Sequence, residues 1–185
     1  MNKPDFENIY QTFQNQIYRL CLGYFAGNSH LAKDTCQEVF IKVWQNLDRF
    51  KGDSKISTWI YRIAVNTCIN VLRKSKNKPT TLSLKEDLLA EEENSNVEYQ
   101  LQAMYNCIAQ LRPKDRSVIL LVLEQKPYEE ISLIMGISEN NLRVRIHRII
   151  RKSFNYTITL PAEAGKQRTV HSEALSAEAG NSLVS

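Results

Sequence analysis

The stretch Tyr128-Glu-Glu-Ile-Ser-Leu-Ile-Met-Gly-Ile-Ser-Glu-Asn-Asn-Leu-Arg-Val-Arg-Ile-His-Arg-Ile-Ile-Arg-Lys152 decides the fold. Its first part places Ile131 and Ile134 on one face of a short helix. Gly136 permits a tight turn, because only glycine enters the left-handed region without steric cost. Ile137 fills the corner, and Ser138 is a helix cap. Leu142, Ile146 and Ile149 then recur at helical spacing and turn inward. Two helices joined in this way give helix-turn-helix geometry, in which the second helix enters the major groove of a duplex. Its outward face would carry Asn140, Asn141, Arg143, Val144, His147, Arg148 and Arg151. Residues 142–154 hold five Lys and Arg (143, 145, 148, 151, 152) and no acid. Arginine pairs bidentately with guanine and asparagine with adenine, while Arg148, Arg151 and Lys152 suit phosphate. An αα-hairpin with a solvated basic face is the plainer alternative. The coincidence of glycine turn, cap, corner apolar and acid-free second helix favours nucleic acid.

Outward from that core the chain reads as helix throughout. Val97, Leu101, Met104, Ile108 and Leu111 form one amphipathic stripe. Pro113 suits a first helical turn, and Val118 to Leu123 is a buried run. Upstream, Phe6, Ile9, Phe13, Ile17, Leu20, Cys21 and Tyr24 mark a helix over 5–25. Gly27-Asn28-Ser29 ends it and caps the next. In that helix, residues 30–50, Val39, Phe40, Val43, Trp44, Leu47 and Phe50 form the apolar stripe. Core is the expected place for Phe40, Val43 and Trp44. After the turn Lys51-Gly52-Asp53-Ser54, Ser57 is expected to cap a third helix whose apolar face runs from Trp59 to Leu72. No β pattern competes, and there are no internal repeats. The fold class is all-α: two small helical domains, 1–78 and 97–156, joined by a flexible acidic linker, 79–96, in which a short helix around 84–89 is possible. Residues 157–185 are rich in Ala, Glu, Ser and Gly and are expected to be a disordered or appended tail.

Charge follows the same division. The net +4 of the 185 residues splits into +6 for 1–78, −5 for 79–98, +4 for 99–156 and −1 for the remainder. Two basic blocks favour a polyanion, because each Lys or Arg on a phosphate releases counterion. The acidic segment between them would be repelled by it. The third helix adds a second nucleic-acid signal. Tyr61 stands with Arg62, Asn66, Asn70 and Arg73 on a polar face, where rings stack bases and amides meet their edges, as in single-strand binding. Trp59 is assigned to the apolar stripe. In the second helix, Asp34, Gln37 and Lys42 are candidates for contact with a protein partner.

Residues 33–74, from Lys-Asp-Thr-Cys-Gln-Glu-Val-Phe-Ile-Lys-Val-Trp through Thr-Trp-Ile-Tyr-Arg-Ile-Ala-Val-Asn-Thr, resemble conserved region 2 of the sigma-70 family. Residues 111–154, from Leu-Arg-Pro-Lys-Asp-Arg-Ser to Arg-Ile-His-Arg, resemble region 4. The chain is similar to the small two-domain extracytoplasmic-function group over about residues 5–155. The resemblance implies a promoter-specific initiation subunit of bacterial RNA polymerase. It implies core docking through Asp34, Gln37, Glu38 and Lys42 on the clamp helices of the largest subunit, with region 4 meeting the flap of the second-largest. It implies capture of a flipped minus-10 base of the non-template strand by Lys51, Asp53, Ser54, Ile56, Tyr61, Arg62, Asn66, Asn70 and Arg73. It implies minus-35 reading by Asn140, Asn141, Arg143, Val144, Arg145, His147, Arg148 and Arg151. An anti-sigma partner, often membrane-tethered, is implied by the resemblance alone. The recognition helix departs from the family at Glu139-Asn140-Asn141-Leu142, which lacks the small pair often found there, and at Val144, where a small polar residue is common.

An enzyme is not expected. Cys21, Cys36, Cys68 and Cys107 include no Cys-x-x-Cys, and no histidine pair has ligand spacing. No metal or cofactor is therefore expected. The composition lacks a signal peptide and any long apolar run, so the expectation is a cytoplasmic protein without membrane insertion, held near the nucleoid by polymerase or at the inner membrane by an anti-sigma factor. The rival reading is a stand-alone helix-turn-helix regulator, with residues 1–78 as a dimerisation or sensing domain.

Overall fold

Asp5 starts the first helix: its carboxylate accepts from the Glu7 backbone N–H at 3.3 Å. In a computed structural model that describes residues 5–76 and 95–158, with side chains for 5–75 and 98–151, the helices are α1 (Phe6–Tyr24), α2 (Ser29–Asn46), α3 (Ile56–Lys76), α4 (Ser95–Ala109), α5 (Pro113–Leu123), α6 (Tyr128–Met135) and α7 (Glu139–Ile158). A single 3-10 turn, Leu47–Arg49, follows α2, and no strand occurs among the described residues. The expected short helix at 84–89 and most of the linker and tail lie outside those residues.

The local signals act as expected at most boundaries. Gly27 takes φ +83, which reverses the chain after α1. Asn28 Oδ1 then accepts from Leu31 N at 2.9 Å and caps α2. Pro113 opens α5, where its missing N–H costs nothing. Ser57 behaves differently from expectation. α3 already begins at Ile56, and the Ser57 hydroxyl donates to Glu130 Oε1 of α6 at 2.9 Å instead of capping its own helix.

The buried faces merge into one core, and residues up to Arg151 form one compact unit. α1 contributes Ile17, Leu20, Cys21 and Tyr24, α2 Val39, Phe40 and Val43, and α3 Ile60, Tyr61, Ala64 and Cys68. α5 adds Val118 and Leu121, while Ile131, Leu142 and Ile149 close the helix-turn-helix. Each such aliphatic or aromatic side chain contributes about 1.5–3 kcal/mol on full burial. Two assignments are corrected here. Trp44 is 65% exposed, because it lies one residue and about 100° of helix beyond Val43, off the inward stripe. Tyr61 is fully buried: its hydroxyl donates to Gln16 Oε1 of α1 at 2.9 Å, and the Lys126 ammonium lies 4.2 Å from its ring centroid.

α5 and α6 lie against the α1–α3 bundle. Gly23 sits so close to α5 that a Cβ on it would lie 2.2 Å from Leu120 Cδ2. Arg19 grips the Glu124 carboxylate with two donors, at 3.0 and 2.9 Å. Tyr24 bonds through its hydroxyl to Ser117 Oγ, and Arg116 donates to the carbonyls of Tyr24 and Ala109. Burial lowers the Arg116 pKa from its usual value and raises those of Tyr24 and Tyr61. Cys21 and Cys68 lie 3.7 Å apart, sulfur to sulfur, in the same core; the hydrogen bond to Cys68, with burial, holds the Cys21 thiol protonated.

Candidate nucleic-acid interface

The helix-turn-helix has the geometry its sequence specifies. Gly136 adopts φ +64 and ψ 38, the left-handed cap that lets α6 stop and α7 leave at an angle. Ser138 Oγ accepts from Asn141 N at 3.3 Å. Ile131, Ile134, Leu142, Ile146 and Ile149 are buried between the helices. That burial leaves Asn140, Asn141, Arg143, Val144, His147, Arg148 and Arg151 exposed on α7. Val144, 68% exposed, supplies an apolar patch within this polar surface. The Arg143 guanidinium lies 5.2 Å from the centroid of the Tyr128 ring and 3.7 Å from Glu139, which steadies its base.

Arg145 is the exception among the α7 candidates. Its Nε lies 3.3 Å from Asp115 Oδ1 of α5, and its side chain is three-quarters buried. Arg148 reaches the same oxygen at 3.8 Å but stays exposed. One carboxylate thus faces two arginines. The family resemblance set Arg145 among the minus-35 residues, whereas helical spacing left it off the outward face, and Asp115, 30 residues away, holds it there.

The second candidate surface lies on α2, the following loop and α3. Lys51, Asp53 and Ser54 are exposed, and Ile56 is half-buried. Arg62, Asn66 and Arg73 are exposed on α3, with Asn70 half-buried. Arg62 also donates to the Leu133 carbonyl at the end of α6. A cavity of about 470 Å3 opens beside Asn66, walled by Lys42, Asn46, Arg49, Trp59, Ile63 and Thr67. That volume is within the range of small-ligand sites. Five of its members, Asn46, Arg49, Trp59, Ile63 and Thr67, are not among the site residues that the sequence suggests. Trp59, Ile63 and Thr67 lie on the apolar stripe, and Asn46 and Arg49 need the α2–α3 packing to be brought to Asn66. Phe50 supports the Trp59 ring at 5.2 Å between centroids.

The α2 candidates divide. Asp34 and Gln37 are exposed, with Asp34 3.3 Å from His30. Ile41 and Trp44 continue their stripe, 54% and 65% exposed. Lys42 is turned towards α3: its ammonium meets Glu38 at 2.6 Å and donates to Thr67 Oγ1 at 3.1 Å. It therefore lines the cavity, and the outward stripe gains two apolar residues that the sequence assigned differently or left out.

An exposed basic second helix on a helix-turn-helix, beside a helical bundle with its own amide and guanidinium surface, defines a DNA-binding protein of the helix-turn-helix class. The family model Sigma-70 region 2 matches residues 9–78, and the model Sigma-70, region 4 matches residues 101–152. The chain is 32% identical over 157 residues to the ECF RNA polymerase sigma factor SigW of Bacillus subtilis, covering 77% of this chain and 83% of that one. It is 30% identical over 165 residues to the ECF RNA polymerase sigma-E factor of Haemophilus influenzae, covering 80% and 84%. Two solved structures share the fold. One is CnrH in complex with the cytosolic domain of CnrY, with TM-score 0.65, 16% identity and coverage of 84% of this chain and 89% of that one. The other is the sigma factor RpoE in complex with the anti-sigma factor NepR from Bartonella quintana, with TM-score 0.66, 17% identity and coverage of 85% and 99%. The chain belongs to the sigma-70 family, in its extracytoplasmic-function group, and is an RNA polymerase sigma factor. The family's members are initiation subunits, not enzymes, and the stand-alone regulator reading is not favoured.

Proposed function

We propose that this sigma factor divides promoter recognition between two surfaces, in domains bounded near residues 78 and 97. α7 reads the minus-35 duplex through Asn140, Asn141, Arg143, Val144 and His147, while Arg148 and Arg151 hold phosphate. Arg145 acts behind them through Asp115. The loop Lys51–Ile56, with Arg62, Asn66, Asn70 and Arg73, receives the non-template strand at minus-10. The cavity beside Asn66 accepts the extruded base, and its stacking surface is Trp59. Extrusion costs a few kcal/mol, repaid by contacts in the cavity, so recognition is coupled to melting. The exposed α2 stripe, Asp34, Gln37, Ile41 and Trp44, docks on the clamp helices of the largest polymerase subunit. Region 4 meets the flap of the second-largest.

The observation that carries this reading is the α7 face: seven exposed side chains of reading or phosphate-binding type on a helix presented by a left-handed glycine turn. Substitution Arg143→Ala tests it. If the guanidinium reads a base, affinity for a cognate minus-35 duplex falls by about 1–3 kcal/mol and selectivity at that position relaxes. Unchanged affinity and selectivity would remove Arg143 from the reading set. The protein works in the cytoplasm with polymerase and is held inactive by an anti-sigma factor. That one solved neighbour is a complex with an anti-sigma factor, and the other a complex with the cytosolic domain of CnrY, supports this reading. Sequestration at the inner membrane follows if that regulator is membrane-tethered. Among the described residues of this chain, no helix is long and apolar enough to cross a membrane.

A further inference from the structure

Three groups on or beside α5 and α6 present oxygen acceptors to donors of the α1–α3 bundle, while Arg116 of α5 donates the other way, to the Tyr24 carbonyl. Glu124 presents its carboxylate to the two guanidinium donors of Arg19. Glu130 presents an oxygen to the Ser57 hydroxyl at 2.9 Å. The Leu133 carbonyl accepts from Arg62. In these three contacts the bundle donates and the second segment accepts. A phosphodiester strand offers the same arrangement, a row of oxygen acceptors with negative charge, and it would satisfy the same donors. Between these contacts lies Tyr61. Its ring is sealed, with the Lys126 ammonium 4.2 Å from its centroid, where a base would otherwise stack.

We infer that the α5–α6 segment is a built-in competitor of single-stranded DNA for the Arg19–Ser57–Tyr61–Arg62 surface. In the closed arrangement the acceptors of α5–α6 occupy that surface. When they lift away, Arg19, Ser57 and Arg62 become free for phosphates and the Tyr61 ring for a base. Promoter opening and release of α5–α6 are therefore one exchange of acceptors. This extends the reading of α3 as the strand-binding face and rests on it.

The contact has a weak point that permits a charge-neutral test. Because a Cβ at Gly23 would lie 2.2 Å from Leu120 Cδ2, a larger side chain there wedges α5 off α1. Leucine also suits a helix better than glycine does. Gly23→Leu in the full chain is compared with the double variant Glu124→Gln/Glu130→Gln. The control is Glu98→Gln/Glu129→Gln, which removes equal charge from two exposed positions outside the contact. The probe is a fluorescein-labelled 15-nucleotide single strand of random sequence, read by anisotropy, with far-UV circular dichroism to verify folding and small-angle scattering to report expansion.

Where the open form is about a tenth of the population, both opening variants bind the strand about 10-fold tighter than wild type, and the control does not. Expansion of Gly23→Leu with strand affinity unchanged overturns the competition and leaves the α3 reading standing. An equal gain in the control overturns it as well, since charge alone would then be the cause. If no variant binds the strand, expanded or not, the α3 reading fails and the competition with it. Should Gly23→Leu fail to fold, the glutamine pair against its control decides.

Discussion

Replacing Asp115 with asparagine isolates what one carboxylate does for the recognition helix. At 3.3 Å from Arg145, the bare Coulomb attraction is about 5 kcal/mol at an effective dielectric constant of ~20. Desolvation and side-chain ordering remove much of that, but both side chains are three-quarters or more buried, so loss of the carboxylate costs about 1–3 kcal/mol. That is below the usual stability of a domain, about 5–15 kcal/mol, so the variant folds and its phenotype lies in DNA binding. In the wild type, Arg148 and Arg151 are the exposed arginines of α7 assigned to phosphate. If each meets a phosphate, the logarithm of affinity falls against the logarithm of salt with a slope of about −1.8. Asp115→Asn frees Arg145 as a third cation and steepens the slope to about −2.7. Between about 50 and 200 mM salt that adds a factor of ~3.5 to the loss of affinity. The assay is an anisotropy titration of the full chain on a 20-base-pair duplex at several salt concentrations. Arg145→Gln is the partner measurement: it leaves the wild-type slope unchanged and cancels the steepening in the Asp115→Asn background. An unaltered slope in folded Asp115→Asn, or a shallower slope in Arg145→Gln alone, would refute the idea that Asp115 withholds Arg145 from DNA.

Other consequences are as direct. Trp44→Ala leaves chemical-denaturation stability within about 0.5 kcal/mol, as expected at an exposed site, but weakens binding to core polymerase at least 10-fold in a competition assay; equal binding would remove Trp44 from the docking stripe. Leu142→Ala, at a fully buried position between α6 and α7, destabilises the protein by about 2–5 kcal/mol; a loss below about 1 kcal/mol in urea unfolding would contradict the packing. Asn66→Ala impairs open-complex formation more than duplex binding, and permanganate footprints as strong as wild type would exclude its role at the cavity. Burial pushes the Cys36 thiol up to about 12 and also raises those of Tyr24 and Tyr61. Their folded values lie above the unfolded ones, so this stability is fully present below the unfolded pKa values and is lost as pH rises towards the folded ones. The melting temperature should fall steadily above about pH 9, and a flat profile there would show that these groups titrate alike in both states.

The helices and the reading motif were legible because their determinants are local. Asp5, Asn28, Gly136 and Ser138 act within a few residues, and the apolar spacing of α1, α3 and α7 names their inward faces. What escaped depends on partners far along the chain. Tyr61 has a polar helical setting, yet Gln16 and Lys126 cover it. Ser57 has the identity of a cap, yet Glu130 takes its hydroxyl. Arg145 belongs to the minus-35 set that the resemblance implies, yet Asp115 holds it against α5. Trp44 shows a further limit: α2 carries two adjacent apolar stripes, and hydrophobicity alone cannot tell the one that packs inside from the one left open for a partner.

We propose that this chain confers promoter specificity on RNA polymerase through the α7 and α3 surfaces together. Run-off transcription with core polymerase and a library of genomic fragments tests it most directly. The prediction is that discrete transcripts arise only when the chain is added to core, and that Arg143→Ala and Asn66→Ala each reduce them. No initiation on any fragment, with tight sequence-specific duplex binding by the chain alone, would contradict it.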